Sequence, residues 1–364
     1  MNIDSSLLFR LLLSLGAAFV ISFSLTPAVK AFAQKVGAMD VPTEARRVHD
    51  HPIPRLGGLA IFLGFLLSVL LFADIDRQIR GILIGSVIIV ATGAVDDVVS
   101  LRAIVKLFIQ IAAAIVAVMH GVVIDVIMNP NVFAEAEHLY LGMLSVPMTI
   151  LWIVAVTNAV NLIDGLDGLA VGVSTIASVT MLVVALVVAE PNVAVILACL
   201  AGACVGFMPY NLNPAKIFMG DTGALLLGYV LSTMSVVGMF KFYAIVSFFV
   251  PVLALAVPIV DTSFAFTRRI LRGQSPFTPD RGHLHHRLLD MGMSQKQAVC
   301  ILYTVSIILG VSAVLLATTG ELKILILAVA FCLAAFYGLH LAEKARHHHQ
   351  EANAASKENE HGKN

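Results

Sequence analysis

Four stretches of the chain gather carboxylates, amides and cationic side chains at the ends of long apolar runs. Asp96 and Asp97 close one run, and Lys106 follows nine residues later. Two adjacent carboxylates at a helix C-terminus repel each other and face the negative end of the helix dipole. A compensating cation is expected, either a metal ion or Lys106; a solvated helix end is the plainer alternative. The second stretch, TNAVNLIDGLDGLA, places Asn158, Asn161, Asp164 and Asp167 at steps of three, along one helix face. Amide and carboxylate oxygens together suit a hard cation such as Mg²⁺ and its phosphate ligands, whereas Asn and Asp also cap helix ends. The third, NLNPAKIFMGDTGALLLG, holds Asn211, Asn213, Lys216, Phe218 and Asp221. Asp221 stands where an N-cap would, ahead of a helix expected from Thr222, and a helix N-terminus attracts phosphate. Phe218 could stack on a base or anchor the loop at the interface. The fourth, residues 268–296, contains Arg281, His283, His285, His286 and Arg287. Such residues can clamp phosphate and sugar, but the helical spacing of Leu284, Leu288 and Met291 equally describes a basic amphipathic helix on lipid headgroups. Asp261, seven residues before Arg268, could simply pair with that arginine.

The elements that carry these residues are set by composition. The chain has 364 residues, 59% hydrophobic and 13% charged, against roughly 25% charged in a soluble domain. Its formal charge is zero, so no global field points to nucleic acid. Cys199, Cys204, Cys300 and Cys332 lie in apolar runs without a CxxC pair and read as small buried residues. Apolar runs long enough to cross a bilayer occur near 7–29, 57–73, 79–95, 104–120, 144–161, 169–189, 193–210, 222–239, 243–266, 297–317 and 322–342. The first lacks a basic start and is followed by many similar runs, so it reads as a membrane helix and not as a signal peptide.

The fold class predicted is therefore an all-α polytopic membrane protein of about eleven spans. Residues 1–343 form a single transmembrane domain, and residues 344–364 a polar tail expected to be disordered. Placing the N-terminus outside and the C-terminus in the cytoplasm puts 18 of the 23 Lys and Arg on the inner side, as the positive-inside rule requires. All four polar clusters then fall on the cytoplasmic side. Residues 121–142 are too polar to span and are expected on the outer surface. The span centres are nearly free of charge, which suits an interfacial site better than an ion path.

The segments GAVDDVVSLRAIVK, TNAVNLIDGLDGLA, NLNPAKIFMGDTGALLLGY, PIVDT and SPFTPDRGHLHHRLL, in this order, resemble the polyprenyl-phosphate N-acetylhexosamine-1-phosphate transferases (glycosyltransferase 4, MraY-like) over about residues 30–300. The stretch DRGHLHH, from Asp280 to His286, is similar to the WecA/TagO-type branch and not to the branch that takes UDP-MurNAc-pentapeptide. The resemblance implies transfer of GlcNAc-1-phosphate from UDP-GlcNAc to undecaprenyl phosphate with release of UMP, in the bacterial cytoplasmic membrane. The cofactor implied is Mg²⁺, with Mn²⁺ as a substitute; a homodimer is expected on the same ground.

Carried over by position, Asp221 and Asn161 match the metal ligands, and Lys106 a lysine on the diphosphate. Asp96 and Asp97 match the catalytic aspartates, and His285 and His286 the histidine motif near the phosphates. Asp164, Asn211 and Phe218 fall to the nucleotide, and Arg281 and His283 to sugar selection; Asn158 is counted with the substrate-binding residues. His49 and Arg55, in the first inner loop, join the substrate-binding set. Because a phosphate monoester is mostly dianionic at neutral pH, direct attack by the lipid phosphate is favoured over a covalent aspartyl intermediate. Asp96 is then expected to position or deprotonate that phosphate, and Asp97 to support the metal or Lys106. An intramembrane prenyltransferase and an anion transporter remain the alternatives. Acidic steps of three instead of four weigh against the first, and the lack of visible inverted repeats against the second.

Overall fold

In hydrocarbon every backbone N–H and C=O must find a partner within the protein, so long apolar runs become helices. The structure is a computed structural model. It describes residues 4–41, 51–128, 138–238, 246–271, 273, 282–319, 321, 323–324, 326–328 and 330–331. His49, Arg281, the 344–364 tail and most of the eleventh predicted span lie outside these residues.

The described helices are α1 (Ser5–Val36), α2 (Gly58–Phe72), α3 (Arg77–Val99), α4 (Ala103–Met119), α5 (Ser145–Leu162), α6 (Leu169–Val187), α7 (Pro191–Asn211), α8 (Gly220–Gly238), α9 (Val246–Ala254), α10 (Ala256–Leu271), α11 (Leu284–Asp290) and α12 (Gln295–Thr319). Seven of them are long and apolar enough to cross a membrane, and α2 and α4 are shorter apolar helices. The chain is thus an all-α, multi-pass membrane protein. The described residues also form two small antiparallel ribbons. One pairs β1 (Met39–Asp40) with β2 (Ile53–Pro54), the other β3 (Val126–Met128) with β4 (His138–Tyr140). The second lies in the segment predicted not to span.

Three elements differ from the sequence reading. The predicted single span over 243–266 is two helices, α9 and α10, parted at Leu255. Pro258 explains the break: it has no N–H to offer the Ala254 carbonyl, and its ring crowds that residue, whereas the first turn of a new helix tolerates it. α9 packs on α12 and α6, while α10 packs mainly on α5. Helix α3 runs to Val99, past the predicted end at 95, so Asp96 and Asp97 sit inside its last turn. α11 is no surface helix on headgroups, since His285 and Leu288 are buried and α11 rests on α12.

The core centres on α8, in which every residue from Thr222 to Gly238 is buried; a helix apolar on all sides belongs inside a bundle. α3, α5, α2 and α6 surround it. Two glycines set the closeness of approach. A Cβ on Gly58 would lie 2.1 Å from the Gly223 nitrogen, and one on Gly93 would lie 2.5 Å from the Thr222 Cα. Without side chains there, α2 and α3 reach the backbone at the start of α8, which brings the end of α3 onto the N-terminus of α8.

Candidate active site

The helix direction alternates, so the C-terminal ends of α3, α5 and α7 and the N-terminal ends of α4, α6 and α8 meet at one end of the bundle. There they enclose a cavity of about 700 Å³. Its lining includes Arg55, Asp97, Lys106, Asn161, Asp164, Asn211, Phe218, Asp221 and His286 from the predicted set, together with Asp40, His51, Asp167, Asn213 and Gln295.

The two adjacent aspartates of α3 have separate partners. The Asp97 side chain, 2% exposed, accepts at Oδ1 from the Asp221 N–H (3.0 Å) and at Oδ2 from the Thr222 N–H (3.1 Å) and hydroxyl (2.6 Å). A carboxylate from another helix therefore caps α8 and sits at the positive end of its dipole. The Arg55 Nε donates to the Asp97 carbonyl at 3.0 Å. Asp96 instead accepts from Lys106 Nζ (3.0 Å) and the Leu101 N–H (2.6 Å). The expected division of labour is corrected accordingly: Asp96, not Asp97, holds Lys106, and Asp97 is engaged by α8.

With its helix capped from outside, Asp221 need not cap it and turns its carboxylate into the cavity. Lys106 donates to Oδ2 at 2.7 Å and Asn161 Nδ2 to Oδ1 at 3.1 Å. A half-turn of the Asn161 amide would present its oxygen beside Asp221 instead. Mg²⁺ is ordinarily held by one or two carboxylates with substrate phosphates and water, not by an all-protein cage. Asp221 with Asn161 fits that pattern, and no group of three or more His, Cys, Asp or Glu residues among the described residues forms a metal cage. The charge balance fits as well. Among the described residues, Asp40, Asp167 and Asp221 line the cavity beside Lys106 and Arg55, and a cation at Asp221 would offset the repulsion between these carboxylates and a diphosphate.

The turn between α5 and α6 forms the opposite wall. Asp164 is half-buried there, and burial, reinforced by the negative charges of Asp221, Asp97 and Asp167, pushes its pKa up to about 8. Asp167 Oδ2 accepts from Asn213 Nδ2 (2.9 Å) and the Ala215 N–H (3.0 Å). Asn211 accepts from the Gly168 N–H (3.2 Å) and donates to the Ile217 carbonyl (3.1 Å). These bonds lock the turn to the α7–α8 loop. Phe218 is fixed by its backbone, its N–H donating to the Pro54 carbonyl (2.8 Å) and its carbonyl accepting from the Gly57 N–H (2.9 Å). Its ring position at the cavity is thus set by β2.

Four predicted residues do not line the cavity: Asp96, which reaches it only through Lys106, and Asn158, His283 and His285. Asn158 sits one turn deeper, where its Nδ2 donates to Gln110 Oε1 at 2.5 Å. His283 and His285 are buried, and of the three histidines only His286 reaches the cavity. Burial, with the neighbouring His286, lowers the His285 pKa to about 3. Sequence reasoning passed over Gln110, although a lone amide four residues after Lys106 within an apolar run was a signal. It also left Asp261 as a partner for Arg268; Asp261 accepts from His283 and the Leu284 N–H, while Arg268 donates to the Gly282 carbonyl.

The profile of glycosyl transferase family 4 matches residues 79–239, which carry Asp96, Asp97, Lys106, Asn161, Asp164, Asn211, Phe218 and Asp221. A Bacillus subtilis protein named "probable undecaprenyl-phosphate N-acetylglucosaminyl 1-phosphate transferase" is 42% identical over 82% of this chain and 84% of its own length. The chain belongs to glycosyl transferase family 4. A decaprenyl-phosphate N-acetylglucosaminephosphotransferase of Mycolicibacterium smegmatis is 36% identical over 79% of this chain and 77% of its own. A phospho-N-acetylmuramoyl-pentapeptide-transferase of Desulforudis audaxviator is 31% identical over 82% and 96%. The family resemblance read from the motifs thus holds, and these relatives favour the acetylglucosamine branch. Within this glycosyl transferase, the Lys106–Asp221–Asn161 group joins residues from three helices at one cavity wall.

Proposed function

We propose that the protein transfers GlcNAc-1-phosphate from UDP-GlcNAc to undecaprenyl phosphate, giving undecaprenyl-diphosphate-GlcNAc and UMP. The observation that carries this reading is Lys106 held between Asp96 and Asp221 in an acid-lined cavity at the end of a membrane bundle. An acceptor phosphate oxygen bonds to the β-phosphorus, the bridging P–O bond breaks, and the electron pair leaves on the α-phosphate of UMP. Both reactants are anionic, so fixed positive charge at the reacting phosphates lowers the barrier. Lys106, oriented by Asp96, faces the diphosphate, and Arg55 and His286 bring further cationic or donor groups to the same cavity. Asp221 and Asn161 would hold Mg²⁺, which supplies charge neutralisation of the diphosphate when bound. Asp164, Asn211 and Phe218 face the nucleotide. The dianionic acceptor needs no general base, so Asp96 acts chiefly by orienting Lys106.

The site lies at the cytoplasmic face of the bacterial inner membrane, where the water-soluble donor and the lipid acceptor meet. Residues 1–343 act as a single catalytic domain, and a homodimer is the expected assembly. Full-length protein in detergent, incubated with labelled UDP-GlcNAc, undecaprenyl phosphate and Mg²⁺, should yield a labelled lipid and UMP, while chelation stops the reaction. Product from UDP-MurNAc-pentapeptide alone would move the protein to the other branch. A cytoplasm-sensitive reporter after Arg346 should be active; an inactive one would reverse the orientation.

A further inference from the structure

Asp261 and His283 form a buried pair that the proposed chemistry does not use. Asp261 Oδ2 lies 2.9 Å from His283 Nδ1, and its Oδ1 accepts from the Leu284 N–H at 2.7 Å. The two residues are 6% and 5% exposed. One carboxylate thus satisfies the first free backbone donor of α11 and the ring that precedes it. With a carboxylate as partner, Nδ1 carries the hydrogen. The His283 ring stacks on His285, centroids 5.8 Å apart and planes at 11°, and His285 meets His286 at 4.3 Å. His285 in turn lies against the turn after α5: a Cβ on Gly165 would come 2.4 Å from its Nε2. The Asp261 carboxylate, on α10, is therefore linked through two imidazoles, His283 and His285, to the turn that holds Asp164, and His286 packs on the second of them.

We propose that Asp261 and His283 are positioning residues, a buried strap that fixes α11 against the turn between α5 and α6 and so holds His286 in the cavity. This rests on the transferase reading for its consequence and not for its geometry. It replaces direct sugar contact as the role of His283, whose ring is buried and bonded away from the cavity. The strongly depressed basicity of His285 agrees with a neutral, packed ring in the middle of the strap.

Two measurements on the full-length protein test the strap. In the kinetic one, Asp261→Ala and His283→Ala should lower kcat by about a hundredfold, the cost of displacing a group by an ångström, with KM for UDP-GlcNAc nearly unchanged. His283→Asn keeps an N–H donor where Nδ1 stood and should recover activity to within about fivefold of wild type. If His283→Asn is as damaged as His283→Ala, and the loss falls on KM for UDP-GlcNAc with UMP inhibition intact, His283 contacts the sugar and the proposal fails. The second measurement is independent of turnover: histidine modification by diethylpyrocarbonate, mapped by mass spectrometry. His285 should be protected in wild type and in His283→Asn, and reactive in Asp261→Ala. Continued protection of His285 in Asp261→Ala overturns the strap, even for a wild-type protein that makes no lipid product, a result that would sink the transferase reading alone.

Discussion

The two ends of the bundle use the same chemistry to different effect. At the end away from the cavity, Arg10 pairs with Asp74 at 3.1 Å, with side chains 36% and 76% exposed. Asp76 caps α3 by accepting from the Ile79 N–H at 2.8 Å. At the cavity end, Lys106 pairs with Asp221 at 2.7 Å and Asp96 at 3.0 Å, and Asp97 caps α8. The distances are alike; the surroundings are not. Water screens the Arg10–Asp74 pair, and such pairs contribute about 0–1 kcal/mol. Lys106 is 23% exposed and Asp96 11%, so removing one partner leaves a charge with little solvent to replace it. The cap of α3 comes from its own preceding residue, whereas that of α8 comes from another helix and closes the site as it satisfies the backbone.

The sharpest test of this contrast is Lys106→Met. It removes the cation between two carboxylates and should lower kcat by about 10²–10³-fold, the scale for losing one preorganised charge at a reacting centre. Arg10→Met should leave kcat unchanged within error. Equal losses would mean that both pairs act only through folding. Asp221→Asn comes next: activity should fall by about tenfold to a hundredfold and recover in part as Mg²⁺ is raised. A loss that is independent of Mg²⁺ would remove Asp221 from the metal site.

A pH experiment addresses the cavity alone. The pKa of Asp164 in the folded protein, about 8, stands above the ordinary 3.8. Its protonated form is thus favoured by folding, a contribution fully present below about pH 4 and lost as pH rises toward about 8. Without divalent cations, the melting temperature should fall from pH 5 to pH 8, and Asp164→Asn should flatten that slope. An unchanged slope in Asp164→Asn would assign it to another group. The caps give the smallest effects on stability. Asp97→Ala and Asp76→Ala should each cost about 1–2 kcal/mol of stability, but only Asp97→Ala should also abolish transfer, because it displaces Asp221. Retained activity in Asp97→Ala would break the link between that cap and the site.

The legible part of this protein was the part that depends on local composition. Ten of the predicted spans have described helices near the expected ends, except that α1 runs to Val36, seven residues past its expected end, and Pro258 divides the ninth. The motif residues on the ends of α3, α5 and α7 do converge, because alternating helices return successive ends to one side. The tail and Arg281, whose role came from resemblance alone, lie outside the described residues, as does His49. Less legible were roles defined by partners far along the chain. Asp97 meets residues 124 and 125 positions away, and Lys106 meets Asp221 across 115.

Sequence by itself determined the membrane class, the approximate spans, and which helix ends carry carboxylate, amide and imidazole groups. Twenty apolar residues demand a helix whatever surrounds them. Tertiary structure alone decided the division between Asp96 and Asp97, the freedom of Asp221 to face the cavity, and the withdrawal of Asn158, His283 and His285 from it. Adjacent residues on a helix point about 100° apart, so spacing shows that Asp96 and Asp97 differ without showing how. Which one meets Lys106 and which meets the start of α8 follows from the close approach that Gly58 and Gly93 permit. Contacts of that kind depend on how whole helices pack, and no local pattern of residues encodes them.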